Sequence, residues 1–173
     1  INVSSYYADD SFGELKLNHS LATAYYYNSK YDESINTHKK NLTHIKNIQQ
    51  LPNIKEISNK LIRWEVLILN DMALATSLKF DSTGDTKFLD DAEQIYLDIL
   101  KITKKSNLKE LIKDDYITRD NLAGIYTSKS EFDKALPIIK ESYDNCIKVK
   151  DIRDPNCLTQ MISYANVVYI FCL

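Results

Sequence analysis

The chain has 173 residues and a formal net charge of −2, with 44% apolar and 27% charged residues. It contains only 3 Gly and 3 Pro, and so few backbone breakers disfavour sandwiches, barrels and βαβ arrays, which need many tight turns. The charge gives no bulk attraction to nucleic acid or to an acidic membrane. Long helices are therefore expected.

The spacing of apolar residues predicts seven helices. They cover about residues 9–28, 31–50, 54–79, 87–105, 108–128, 131–149 and 155–173. Pro52 ends the second helix, Asp81–Asp85 is predicted to be a loop, and Pro155 begins the last helix. The short breaks after the first, third and fifth helices predict antiparallel hairpins.

One spacing pattern occurs twice, 101 residues apart. Leu21-Ala22-x-x-Tyr25 is followed by Tyr31-x-x-Ser34, and Leu122-Ala123-x-x-Tyr126 is followed by Phe132-x-x-Ala135. The small residues at 22, 73, 123 and 165 are expected to let neighbouring helices approach closely, while the tyrosines fill the space beside them. Repeated helical hairpins usually stack into a solenoid that binds a partner.

These two copies resemble the tetratricopeptide repeat (TPR). The resemblance implies an all-α fold, an α-solenoid (a right-handed superhelix) of antiparallel helical hairpins. The whole of 1–173 is expected to be one TPR-like domain, a fragment of a longer protein, with hairpins at about 9–51, 54–106 and 108–150 and a half unit at 155–173. The long helices are similar to those of kinesin light chains and of bacterial peptide-sensing regulators.

In TPR proteins the first helix of each hairpin lines the concave, ligand-binding face. By this resemblance the ligand-facing positions are Lys16, His19, Thr23, Tyr26 and Tyr27, then Asn70, Asp71, Leu74 and Ser77, then Asp120, Asn121, Gly124 and Thr127. The candidate binding residues chosen from them are His19, Thr23, Tyr26, Tyr27, Asn70, Leu74, Asp120 and Asn121. Tyr26 and Tyr27 would equally suit half-buried packing positions.

The basic clamp with which chaperone adaptors hold a C-terminal carboxylate is not expected. Its first pair of positions holds His19 and Thr23, and its second pair holds Asp120 and Gly124, so lysine and arginine are missing from both. An acidic tail is therefore not the expected ligand.

Catalytic and metal-binding motifs are absent from the sequence, and no enzyme activity, cofactor or metal is expected. His38 and His44 lie six positions apart on one predicted helix and so on different faces, which disfavours a shared metal. Each histidine is predicted to be solvated or to lie near a helix cap. The basic stripe Lys101, Lys104, Lys105, Lys109 and Lys113 is predicted to be a solvated face, with no nucleic-acid partner.

The cysteines and the apolar C-terminal segment bear on location and assembly. Cys146, Cys157 and Cys172 cannot all pair, which favours a reducing, cytoplasmic compartment. The apolar segment from Met161 to Leu173 is too short to span a bilayer, and as half a hairpin it would leave an apolar face uncovered. Three outcomes stay open: further repeats, a homodimer through this helix, or the approach to a membrane helix.

The sequence thus predicts a non-catalytic scaffold that binds a protein or an extended peptide on the concave face of a TPR superhelix. The alternative is a peptide-sensing regulatory domain of a larger signalling protein, such as a sensor kinase or transcription regulator.

Overall fold

The computed structural model describes the backbone of residues 3–52, 54–113, 115–149 and 153–171, and the side chains of 12–52, 54–111, 115–148, 153–155 and 157–171. All regular structure in these ranges is helical, which confirms the all-α prediction. The helices are α1 (Val3–Tyr27), α2 (Tyr31–Gln49), α3 (Ser58–Thr83), α4 (Lys87–Ser106), α5 (Lys109–Lys113), α6 (Asp115–Ser128), α7 (Phe132–Val149) and α8 (Pro155–Phe171), with a 3₁₀ turn at Ile54–Glu56.

The prediction of a loop over Asp81–Thr83 is wrong, because α3 continues to Thr83. The hydroxyls of Ser82 and Thr83 donate to the carbonyl of Lys79, at 3.0 and 2.6 Å, so these polar side chains are satisfied within a helix. The helix ends instead at Gly84, whose φ of +71° suits glycine and whose N–H donates to the Phe80 carbonyl at 2.7 Å.

The helix predicted over 108–128 is present as two helices, α5 and α6. Asp114, which separates them in the sequence, lies outside the described residues.

Contacts divide the chain into two compact units, Ile1–Gly84 and Asp85–Leu173. In the first unit, α2 packs against both α1 and α3. Apolar side chains from all three helices meet in one core, which removes their surface from water and supplies most of the stability of the unit. The buried members of this core are Phe12, Leu15, Ile45, Ile48, Leu61 and Ile68.

In the second unit, α6 is the central helix, since it packs against α4, α7 and α8. A polar cluster also joins α6 to α4. The hydroxyl of Tyr126 donates to Glu93 at 2.9 Å, and Lys129, in the turn after α6, donates to Glu93 at 2.6 Å and to Asp90 at 2.7 Å. Burial and the Glu93 carboxylate raise the pKa of Tyr126 to about 12, so the phenol stays protonated and remains a donor.

The two hairpin turns predicted from the repeated pattern have the same main-chain hydrogen bonds. The N–H of Lys30 donates to the Tyr25 carbonyl at 2.9 Å, and the N–H of Glu131 donates to the Tyr126 carbonyl at 2.8 Å. The preceding residues, Ser29 and Ser130, have φ values of 57° and 59°, in the left-handed region. Each turn is a Schellman motif, which closes the first helix of the hairpin.

The two copies of the pattern nevertheless differ in burial. Leu122 is fully buried, whereas Leu21 is 44% exposed. Within the described residues, α6 packs against α4, α7 and α8, whereas α1 packs mainly against α2, and Leu21 stays partly exposed. The predicted packing positions Ala22, Ala73 and Ala123 are buried, but Ala165 is exposed, so that part of the prediction is wrong.

Two of the three cysteines are paired. Cys146 on α7 and Cys157 on α8 form a disulfide, with an S–S distance of 2.08 Å and a Cα–Cα distance of 5.5 Å. Both residues are buried, where α7 packs against α8. An odd number of cysteines therefore does not exclude a disulfide, since Cys172, which lies outside the described residues, can remain the odd thiol.

We expect a thiol assay on the unreduced, denatured protein to find one free thiol per chain, and three after reduction. The expectation follows from one disulfide among three cysteines. Mass spectrometry of an unreduced digest should show the peptides of Cys146 and Cys157 linked. The variant C172A is the matched control and should have no free thiol before reduction, whereas three free thiols in the unreduced protein would contradict the pairing.

Candidate functional site

A cavity of about 290 Å³ lies in the first unit, between its three helices. Helix α1 contributes four of its lining residues, which follow one another at intervals of four, three and one. This spacing places them on one side of a helix. They are His19, Thr23, Tyr26 and Tyr27.

The other lining residues come from the two neighbouring helices. His38 is on α2, and Asp71 and Leu74, one turn apart, are on α3. The structure thus brings together five of the eight candidate binding residues, His19, Thr23, Tyr26, Tyr27 and Leu74. We call this site the α1–α3 cavity.

His38 is the least exposed polar group in the wall of this cavity. Its residue is only 1% exposed, and its Nδ1 has no hydrogen-bond partner. Burial, with a smaller contribution from His19, lowers the pKa of His38 to about 4, so the ring is neutral at physiological pH. The ring of His19 lies 5.9 Å from that of His38 and 5.6 Å from that of Trp64.

Among the described residues of the wall, Asp71 is the only one with a carboxylate. Its Oδ2 lies 3.6 Å from Nδ1 of His19, longer than a hydrogen bond, and its side chain is 38% exposed. Burial raises the pKa of Asp71, and the nearby His19 opposes this shift. The carboxylate therefore faces the cavity without a strong partner among the described side chains.

Tyr26 and Tyr27 form an aromatic part of the wall. Their ring centroids are 5.3 Å apart at an angle of 78°, and Tyr31 lies 6.1 Å from Tyr26. Burial raises the pKa of the Tyr26 phenol, and Tyr31, Tyr27 and Asp71 add to the shift. Tyr27 is 79% exposed, so packing within the described chain does not explain its position, whereas Tyr26 is half-buried.

The remaining three candidate binding residues do not line the cavity. Asn70, on α3, is half-buried and donates from Nδ2 to the Val66 carbonyl at 3.1 Å. Asp120 and Asn121 are half-buried on α6, in the second unit. Burial raises the pKa of Asp120, and a hydrogen bond from Ser163 on α8 opposes the shift.

His38 was not among the residues predicted to bind a ligand, and the prediction that it is solvated or near a helix cap is wrong, because it is buried within α2. A signal was present in the spacing, because the buried residues of α2 recur at helical intervals through His38. Several of them are polar, which hides the stripe from a search for apolar residues. The members of this stripe are Ser34, His38, Asn41, Ile45 and Ile48.

The sequence also raises the questions of a metal site, a membrane helix and a basic surface. No group of three or more His, Cys, Asp or Glu side chains in the described ranges is arranged to hold a metal ion. None of the helices, as far as they are described, has the length and apolar character needed to cross a membrane. The lysines at 101, 104, 105 and 109 are exposed, and the side chain of Lys113 lies outside the described residues.

The fold is similar to that of a protein of known structure. A crystal structure of a Podosopora anserina protein, described as a kinesin light chain with nearly identical TPR-like repeats, matches with a TM-score of 0.65. The match covers 89% of this chain at 15% sequence identity. The chain has a TPR-like fold. The TPR-like chain spans 65% of the length of that protein. No protein-family profile and no curated protein sequence matches the present chain.

Proposed function

We propose that this TPR-like chain is a non-catalytic scaffold that binds a protein or an extended peptide, with the α1–α3 cavity as a main contact. The observation that supports the proposal is the clustering of His19, Thr23, Tyr26, Tyr27 and Leu74 around one cavity. Tyrosines provide rigid contact area with a polar end, which is typical of binding surfaces.

Asn70 in the first unit, and Asp120 and Asn121 in the second, are proposed to bind main-chain groups of a peptide. Amide and carboxylate groups can satisfy the N–H and C=O groups of an extended peptide, which would otherwise lose their hydrogen bonds to water. All three are half-buried, so each keeps part of its side chain accessible.

The proposal is tested by selecting peptides from a random display library on the immobilised chain and measuring their affinity by calorimetry. We expect the triple variant Tyr26→Ala, Asn70→Ala and Asn121→Ala to bind a selected peptide at least tenfold more weakly, about 1.4 kcal/mol. A matched triple variant at the exposed residues Lys40, Asp91 and Lys148, each changed to Ala, should bind as the original chain does.

The outcomes separate two parts of the proposal. Undiminished binding by the first triple variant, with its helical circular dichroism intact, would contradict the site. Failure of the library to yield any peptide that binds the folded chain would contradict peptide binding itself.

A peptide-sensing regulatory domain is the second candidate function, and it uses the same binding face. The scaffold and the sensor differ in which domains are joined to this chain in the full-length protein. A kinase, DNA-binding or membrane segment whose activity responds to the bound peptide would favour the sensor over the scaffold.

Location and assembly belong to the proposal as well. A cytoplasmic location stays a prediction from the cysteine count, and the Cys146–Cys157 disulfide argues against it, since disulfides persist mainly in oxidising compartments. A homodimer through α8 also stays a prediction. It would cover the exposed apolar side chains of Ile162, Tyr169 and Phe171.

A further inference from the structure

The charges in the wall of the α1–α3 cavity favour a positively charged ligand. Asp71 supplies a carboxylate whose Oδ2 lies 3.6 Å from Nδ1 of His19, which is too far for a hydrogen bond. His38 is neutral at physiological pH and does not offset that charge. No lysine or arginine is among the seven side chains that line the cavity, so nothing there would bind an anion strongly.

The rest of the wall suits an aliphatic cation. The aromatic rings of Tyr26 and Tyr27 can hold a cation against their faces, and Leu74 offers an apolar contact for a methylene chain. The phenol and threonine oxygens and the Asp71 carboxylate are acceptors for N–H donors. An ammonium group, which has three donors and no acceptor, matches this set.

The size of the cavity is sufficient for one long side chain. Its volume of about 290 Å³ lies just below the range of about 300–1,000 Å³ that is typical of pockets for drug-sized ligands. The side chain of lysine, a four-carbon stem with an ammonium group, is small enough to enter a cavity of this volume. The same holds for the stem and guanidinium of arginine.

We infer that the α1–α3 cavity binds the positively charged side chain of a lysine or arginine residue in the bound segment, with Asp71 as its counter-ion and Tyr26 and Tyr27 around its stem. The inference rests on the proposed peptide-binding function and adds to it a requirement for a basic residue. It also fits the lack of a basic clamp, since neither feature favours an acidic ligand.

The test uses small probes, so that its result does not depend on finding a natural partner. N-acetyl-lysine methylamide and its arginine counterpart are titrated into the full chain, and the methyl signals of Thr23 and Leu74 are followed by NMR. Neutral analogues of equal length, the norleucine and citrulline derivatives, are titrated in parallel. Butylamine tests whether a free amine is enough.

We expect at least one of the two cationic probes to bind tenfold or more tightly than its neutral analogue. The variant Asp71→Asn should remove that advantage, whereas Asp81→Asn, at an exposed position on the same helix, should keep it. Lysine-specific, arginine-specific or shared binding would each support the inference and identify the residue. If butylamine bound as tightly as the lysine probe, a free amine would be enough, and this would contradict the claim that the ligand is a peptide side chain.

Equal binding of the cationic and neutral probes would overturn the inference, and this comparison needs no variant to fold. A failure of the proposed function alone would give a different experimental result. Cationic probes would then bind through Asp71 while no library peptide bound the chain. Conversely, selected peptides that bind without any basic residue would contradict the inference and leave the proposed function standing.

Discussion

The variant Leu122→Ala is expected to lower the free energy of unfolding by about 3 kcal/mol, the loss usual for a large apolar side chain removed from a packed core. Leu122 is fully buried on α6, the helix that α4, α7 and α8 surround. The methyl groups that are removed would leave a cavity which these neighbours close only in part. Urea unfolding followed by circular dichroism measures the change.

The matched control is Leu21→Ala, at the equivalent position of the first copy of the repeat. Because Leu21 is 44% exposed, its truncation should cost less than about 1 kcal/mol. Similar losses for the two variants would contradict the difference in burial between the copies.

The second large effect is a loss of stability in acid that depends on His38. Its pKa is about 4 in the folded chain, against an ordinary value of 6.5. Between these values the unfolded chain binds more protons than the folded chain, so stability falls as the pH is lowered through this window. A difference of about 2.5 pKa units corresponds to about 3 kcal/mol between pH 7 and pH 4.

The measurement is the free energy of unfolding from urea titrations at pH 4 and pH 7. The variant His38→Gln should lose most of the pH difference, whereas His44→Gln, the matched control on the same helix, should retain it. The raised pKa of Asp71 acts in the opposite direction, because a group with a raised folded pKa stabilises the fold less as the pH rises. That contribution is common to both proteins, so an unchanged pH difference in His38→Gln would contradict the assignment.

Much of the fold could be predicted because local patterns determine it. Helices α2, α4 and α8 begin at Tyr31, Lys87 and Pro155, the residues expected from apolar spacing and from proline at a helix start. The loop at Asp81–Thr83 was predicted wrongly because residues common in turns can also bond to carbonyls of the preceding helical turn.

The site could be predicted only in part, because a resemblance identifies helix faces and not their neighbours. The four α1 residues of the cavity share one face, and this was visible in the spacing. The burial of His38 and the position of its ring beside His19 depend on how α2 packs against α1, which no local pattern encodes. The different burial of Leu21 and Leu122 is also a tertiary effect.

The paired turns at Ser29 and Ser130 have a consequence for how this chain tolerates change. Their closing hydrogen bonds join main-chain atoms, Lys30 N–H to the Tyr25 carbonyl and Glu131 N–H to the Tyr126 carbonyl. The side chains at those positions are thus free to differ, as lysine and glutamate do here. An inserted or deleted residue would break the bonds themselves and rotate the second helix of the hairpin out of register with its partner. Positions 30 and 131 should therefore accept substitutions readily, whereas the turns should accept changes of length hardly at all.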